Sequence, residues 1–232
     1  MLRQDDFEKK LITVDKFIEL IKPGNKIFLT SGPAIPQVAA KEITTSERLK
    51  NYDLEIIQLF SLDYFFNQLS CDLQSYRLKT FRSGETTSEN TCDGKEDFIP
   101  ANLIEIPYIF ATKAIEIDIA ILSASPPDKH GFMSLGVAID VASTVIKNAS
   151  IVIAEVNPNM PVTYGETSIH IDQVDYILQS NHPLLERERK PFNNVQERIG
   201  WHVSNLIQDG STVVLHVGKI FDAIAMHLMS KK

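Results

Sequence analysis

The chain has 232 residues, 44% hydrophobic and 23% charged, a composition typical of a globular protein that buries a core. The formal net charge is −7 and no cluster of lysines and arginines stands out, which disfavours nucleic-acid binding. The sequence shows no signal peptide, no apolar run of the about 18 residues that span a membrane, and no metal or disulfide spacing at Cys71 and Cys92, which together favour a cytoplasmic protein.

The first elements in the chain predict a strand–turn–helix unit. Thr13 is placed to cap a helix whose apolar residues recur at helical spacing. A strand over Lys26–Thr30 runs into a turn with Gly32, and Pro36 suits the first turn of a helix over Gln37–Leu49. The amides at that helix start are expected to be free to face an anion. A tight turn that needs Gly32 explains the glycine equally well, because no GxGxxG or P-loop lysine is present.

Two further strands are predicted in the first half, each followed by polar residues. Leu54–Leu59 leads to Ser61, and Leu78–Phe81 leads to a loop with an arginine and the hydroxyls of Thr86–Thr87. Hydroxyls and an arginine just past a strand end are able to hold a carboxylate, whereas a solvated loop is the plain alternative. Short helices punctuated by prolines are predicted over Gly94–Ala114.

The most informative stretch runs from Ile117 to Gly136. Its first residues, IDIAIL, predict a strand buried on both faces of a sheet. Pro126 and Pro127 then make a rigid turn that cannot rejoin a sheet, and a polar tip with His130 follows. Open α/β folds bind ligands in loops at the carboxyl ends of buried strands, so this loop is a predicted site.

A second strand and loop repeat this arrangement. Asp140 is expected to cap a helix that ends near Asn148, and Ile151–Val156 is a second apolar strand. This strand runs into the proline-bearing loop Asn157–Gly165. A right-handed βαβ crossover brings both loops to the same edge of a sheet, which predicts one shared site. Two loops that simply turn corners are the alternative.

The remaining sequence predicts a strand over Ile169–Leu178, a polar linker over Ser180–Asn194, and a helix, a strand over Thr212–Val217 and a final helix. The linker favours a boundary between an α/β domain at residues 1–190 and the beginning of a second, incomplete α/β domain at 191–232. The scattered histidines and acids form no metal or catalytic motif. The residues alone therefore predict an α/β protein with a small-molecule site, and no reaction.

Two long motifs resemble the amino-terminal domain of the acetyl-CoA hydrolase/transferase family, the group that includes 4-hydroxybutyrate and succinyl/acetate CoA-transferases. The best match is SPPDKHGFMSLGVAID at 125–140, and the next is IVIAEVNPNMPVTYGE at 151–166. Weaker matches are IKPGNKIFLTSGPAIPQ at 21–37, TFRSG at 80–84 and DFIP at 97–100. The resemblance implies a fold of the NagB/RpiA/CoA-transferase type, an open sheet with helices on both faces.

The resemblance also implies covalent catalysis, in which a glutamate attacks an acyl-CoA thioester to give an acyl-glutamyl anhydride and then an enzyme–CoA thioester. That glutamate belongs to the family's second domain, past the equivalent of Lys232. No catalytic residue and no metal site is therefore assigned in this chain, and no cofactor is expected beyond the coenzyme A thioester as substrate. The positions that match the family's cleft and are predicted to bind substrate are Gly32, Pro33, Ser61, Thr86, Thr87, Ser125, Pro126, His130, Gly131, Asn157, Met160, Pro161, Thr163 and Gly165.

One departure concerns the family's glycine-x-glycine turn, which is His216–Val217–Gly218 here and places a bulky side chain where backbone approaches substrate. The resemblance predicts the amino-terminal half of an acyl-CoA:carboxylate CoA-transferase or acetyl-CoA hydrolase, inactive alone, with an acyl-CoA and a small carboxylate as substrates. Its expected partner is a second copy or a glutamate-bearing second domain. A non-enzymatic remnant and a partner-binding subunit of a split enzyme are alternatives, and a sugar-phosphate isomerase-like protein ranks below them.

Overall fold

The computed structural model describes residues 4–60, 76–82, 96–186 and 191–231. The chain divides into two compact units, Met1–Leu185 and Glu186–Lys232. Within the described ranges no helix is long and apolar enough to cross a membrane. The domain boundary after residue 190 stays a prediction, and the two units are described separately below.

The larger unit is organised around an eight-stranded sheet in which every pairing is parallel. In chain order its strands are Leu11–Ile12 (β1), Lys26–Leu29 (β2), Leu54–Phe60 (β3), Tyr76–Arg82 (β4), Glu96–Phe98 (β5), Ile119–Ala124 (β6), Ile151–Val156 (β8) and Tyr176–Gln179 (β10). Across the sheet they lie in the order β1-β10-β8-β6-β2-β3-β4-β5. A separate antiparallel ribbon pairs Phe132–Ser134 (β7) with Ser168–His170 (β9).

Helices cover both faces of this sheet. They are Gln4–Glu8 (α1), Val14–Leu20 (α2), Gln37–Thr45 (α3), Ile106–Ala111 (α4) and Ala142–Asn148 (α5), with 3₁₀ turns at Gly32–Ala34, Glu47–Leu49 and Ile171–Gln173. Alternate residues of a strand point to opposite faces, so Ile121 packs with residues of α2 and α3 while its neighbour Leu122 packs with residues of α4 and α5. Burial on both faces explains the continuous apolar runs, and the predicted α/β fold is confirmed.

Two of the predicted helix and strand ranges in the larger unit are wrong. Glu96–Phe98 was expected within helices, but it forms β5 because pairing with the edge of β4 satisfies its backbone groups. The single strand expected over Ile169–Leu178 is broken after His170, where His170 and Gln173 form a capping box that begins a 3₁₀ turn. The predicted cap of α2 is confirmed, since the Thr13 hydroxyl accepts a hydrogen bond from the Lys16 amide at 3.2 Å.

The smaller unit contains the helices Asn194–Leu206 (α6) and Lys219–Leu228 (α7). Asn193 caps α6 by accepting hydrogen bonds from the amides of Val195 and Gln196. The strand predicted over Thr212–Val217 is wrong, because these residues have no regular structure and Val217 is 79% exposed. A strand needs a neighbour for its backbone groups, and the described part of Glu186–Lys232 offers no other strand.

Candidate functional site

Three loops meet at one edge of the large sheet. We call them the glycine loop (Ser31–Pro36), the first proline loop (Ser125–Gly131) and the second proline loop (Asn157–Gly165). They follow β2, β6 and β8, which are adjacent and parallel, so their carboxyl ends point to the same edge. The prediction that both proline loops lie together is therefore confirmed, and the sheet adds the glycine loop beside them.

A hydroxyl just after the first proline loop joins it to the second. The Ser134 hydroxyl accepts hydrogen bonds from the amides of Gly136 and Thr163, both at 3.1 Å. The Thr163 hydroxyl donates to the Gly136 carbonyl at 3.1 Å, and the Ser125 hydroxyl accepts from the Ser134 amide at 2.9 Å. These reciprocal bonds hold the two loops as one rigid body.

Several predicted binding residues serve this internal structure. The Asn157 side chain donates to the His182 carbonyl at 2.8 Å and accepts from the Asn159 amide at 3.0 Å. Met160 is 3% exposed and fills the space over Gly136. Pro126, Pro161 and Gly165 lie in the same loops. A direct contact between any of these residues and substrate stays a prediction.

The polar tip of the first proline loop is shaped by Asp128. Its carboxylate accepts from the amides of His130 at 2.8 Å and Phe132 at 2.9 Å, and the Phe132 amide is the main cause that lowers the pKa of Asp128. The His130 carbonyl lies 3.0 Å from Nε2 of His170. Gly131 has φ of +91° and a Cβ there would lie 2.7 Å from the same Nε2, so only glycine fits.

The glycine loop is held against the end of β3. The Ser31 hydroxyl accepts from the amides of Leu59 at 2.9 Å and Phe60 at 3.4 Å. Gly32 has φ of +59°, and a Cβ there would lie 2.7 Å from the Phe60 ring. The left-handed backbone favours glycine here, and any side chain would also displace the Phe60 ring; Pro33 follows in the 3₁₀ turn.

Asp140 does not cap α5, contrary to the prediction. Val141 occupies the cap position and makes no side-chain cap bond, whereas Asp140 has φ of +49° and its carboxylate accepts from the Ser31 amide at 2.9 Å. Burial raises the pKa of Asp140, and the hydrogen bond from the Ser31 amide opposes that rise. The left-handed backbone turns this side chain toward the glycine loop instead of the helix that follows it.

The sequence had suggested that the amides at the start of α3 are free, but this prediction is wrong. Glu155 lies on β8, is 2% exposed, and accepts from the amides of Val38 at 3.2 Å and Ala39 at 2.9 Å. The acceptor at this helix start is therefore the protein's own carboxyl group, and the ionised form of that group suits the positive end of the helix dipole. The one sequence signal for it was an acid within an otherwise apolar strand.

The free energy of unfolding is expected to depend on pH partly through the titration of the Glu155 carboxyl group. Burial raises its pKa above the usual 4.5, so the folded state holds this proton more tightly than the unfolded state. The free energy of unfolding should therefore fall as pH rises from about 4 through the raised pKa, and level off above it. Asp140, whose pKa is also raised, contributes a slope of the same sign, so Glu155→Gln should reduce the slope in urea unfolding measured at several pH values. The exposed Glu116→Gln control should keep it, and an unchanged slope in the Glu155 variant would contradict the assignment.

Three predicted site residues, Ser61, Thr86 and Thr87, lie outside the described residues. Within the described ranges no group of three or more histidine, cysteine, aspartate or glutamate side chains is arranged to hold a metal ion. The chemistry at this edge, among the described residues, is that of backbone amides, hydroxyls, the buried carboxyl of Glu155 and the half-buried carboxyl of Asp140. Such an edge is able to orient an acyl or carboxylate group.

Residues 1–186 match the family described as the acetyl-CoA hydrolase/transferase N-terminal domain. The chain is 30% identical over 230 residues to 4-hydroxybutyrate coenzyme A transferase of Clostridium kluyveri, covering 99% of this chain and 53% of that protein. It is 33% identical over 231 residues to the succinyl-CoA:acetate/propanoyl-CoA:succinate CoA transferase of Fasciola hepatica, covering 97% and 47%.

The fold is also similar to that of a solved protein. The crystal structure of RipA from Yersinia pestis matches 98% of this chain and 55% of that protein with a TM-score of 0.85 at 24% identity. At this identity the likeness shows the fold alone. The chain spans about half the length of the curated relatives it matches.

Proposed function

The chain belongs to the acetyl-CoA hydrolase/transferase N-terminal domain family, and from this premise we propose that it supplies one wall of an acyl-CoA site. The observation that carries the proposal is that the match over residues 1–186 includes all three loops at the carboxyl edge of the sheet. The reaction class is CoA transfer between an acyl-CoA and a small carboxylate, or hydrolysis of the thioester. A cytoplasmic location stays a prediction.

The nucleophile comes from a second domain in this proposal. Its glutamate carboxylate attacks the thioester carbonyl and expels the CoA thiolate, leaving an acyl-glutamyl anhydride. The thiolate then attacks the glutamyl carbonyl, which releases the acyl group as a carboxylate and forms the enzyme–CoA thioester. Glu155 is unsuited to this role, because it is buried and engaged with the start of α3.

Exposed apolar residues support a protein partner for the chain. Val162 and Tyr164 on the second proline loop are 66% and 94% exposed. In the smaller unit, Thr212–Val217 has a sequence typical of a strand and lacks a strand partner among the described residues. We propose that the glutamate-bearing domain supplies that partner strand and faces the loops. A homo-oligomer stays a prediction that light scattering on the purified chain is able to test.

The purified 232-residue chain is expected not to cleave acetyl-CoA above the uncatalysed rate, because the proposal assigns the nucleophile to a second domain. The measurement is release of free thiol over time, with and without acetate. Adding a polypeptide that supplies the second half of the curated relatives should restore turnover. Thiol release by the chain alone that survives further purification would contradict the proposal.

Binding experiments separate the proposal from the non-enzymatic alternative. Isothermal titration with coenzyme A should give binding to the chain, whether or not the second polypeptide is present. Binding that never leads to turnover after complementation would favour a remnant. Turnover that appears only in the complex would favour a split enzyme.

A further inference from the structure

Two acids hold the glycine loop, one at each end. Asp140 accepts from the Ser31 amide at its beginning, and Glu155 accepts from the Val38 and Ala39 amides just past its end. Both carboxylates come from elsewhere in the chain, and both are buried enough that their pKa values rise. A buried carboxylate stays in place only where hydrogen bonds compensate its lost hydration, so each acid and its amides fix one another.

Between these two anchors one backbone donor of the glycine loop has no acceptor among the residues that the structure describes. The amides of Ala34 and Ile35 bond within the 3₁₀ turn to the carbonyls of Ser31 and Gly32, and Pro33 has no amide hydrogen. The Gly32 amide donates to none of the described groups. A preorganised backbone donor at the carboxyl edge of a sheet suits an oxygen that gains negative charge.

We propose that Asp140 and Glu155 are positioning residues, which fix the glycine loop so that the Gly32 amide is presented to an oxygen of the acyl group. This inference rests on the proposed function, since it assumes an acyl substrate at this edge. Neither acid takes part in bond making. Their contribution is the fixed geometry of the loop, which would otherwise have to be ordered on binding at a cost in conformational entropy.

The chain offers a matched control for each acid, at the opposite end of the same strand. Asp140 accepts from the Ser31 amide just past the end of β2. Asp118 accepts from the Lys26 amide at the beginning of β2, at 2.7 Å. Glu155 lies near the end of β8, and Asp175 binds the Val152 amide near its beginning at 2.8 Å. Asp118 and Asp175 therefore make the same kind of bond at the edge away from the loops.

The test compares Asp140→Gly and Glu155→Ala with Asp118→Ala and Asp175→Ala in the full 232-residue chain. Isothermal titration measures affinity for acetyl-CoA and for coenzyme A, which lacks the acyl oxygen. The first two variants should lose about tenfold in acetyl-CoA affinity and keep coenzyme A affinity within about twofold. The two control variants should keep the wild-type affinity for acetyl-CoA and for coenzyme A. Glycine adopts the left-handed backbone of Asp140 without strain and has no acceptor for the Ser31 amide, so that variant is expected to fold without the anchor.

Hydrogen exchange separates failure of this inference from failure of the proposed function. Residues 31–39 should exchange faster in Asp140→Gly and Glu155→Ala, and at the wild-type rate in both controls. Unchanged exchange there, or equal loss of acetyl-CoA affinity in variants and controls, would overturn the positioning role. If residues 31–39 exchange faster in the two variants but the wild-type chain binds neither acetyl-CoA nor coenzyme A, the two anchors are retained and the proposed function is overturned, along with the Gly32 contact.

Discussion

Replacing Gly136 with alanine is expected to lower the free energy of unfolding of the larger unit by about 3 kcal/mol. Gly136 has φ of +66°, which an alanine adopts only with strain. A Cβ there would also lie 2.1 Å from the sulfur of Met160 and 3.2 Å from the Pro161 carbonyl oxygen. Met160 is 3% exposed, so its side chain has little room to move away. Urea unfolding followed by circular dichroism measures the change.

The control for this substitution is Gly24→Ala. Gly24 has a similar φ of +77°, but nothing lies within 4 Å of a Cβ built there. It should therefore show only the backbone strain, about 1 kcal/mol. Equal losses in the two variants would mean that Met160 adapts to the new methyl group. In that case Gly136 would not hold the proline loops together through close packing.

The second large effect is expected at the helix pair of the smaller unit. A Cβ on Gly200 of α6 would lie 2.7 Å from the carbonyl carbon of Ala223 in α7. Because that atom belongs to the backbone, Gly200→Ala must push the helices apart, at a cost of about 2 kcal/mol after the gain in helix propensity. Trp201, the single tryptophan, reports this unit by fluorescence during urea unfolding.

Asn205→Ala provides the matched control on the same helix. Asn205 is exposed, so alanine there should raise stability slightly through its higher helix propensity. A Gly200 variant as stable as this control would contradict the close helix contact. Loss of cooperative fluorescence change in the Gly200 variant alone would show that the contact holds the unit together.

Much of the candidate site was predictable because its signals are local. The proline pair after β6 and the proline loop after β8 are read directly from consecutive residues, and their shared edge follows from the handedness of the crossover. The strand predicted over Thr212–Val217 failed for the opposite reason. Its apolar pattern is local, but whether a strand forms depends on a neighbour that the described part of this unit does not contain.

The sequence by itself determined the α/β class, the doubly buried strands and the two rigid loops, because periodicity and proline act within a few residues. Only the tertiary structure decided what Asp140 and Glu155 do. Their partners Ser31 and Val38 lie 109 and 117 residues away along the chain, so no spacing pattern connects them. The fold places β2 and β8 on either side of β6, and that arrangement brings the two acids to the glycine loop.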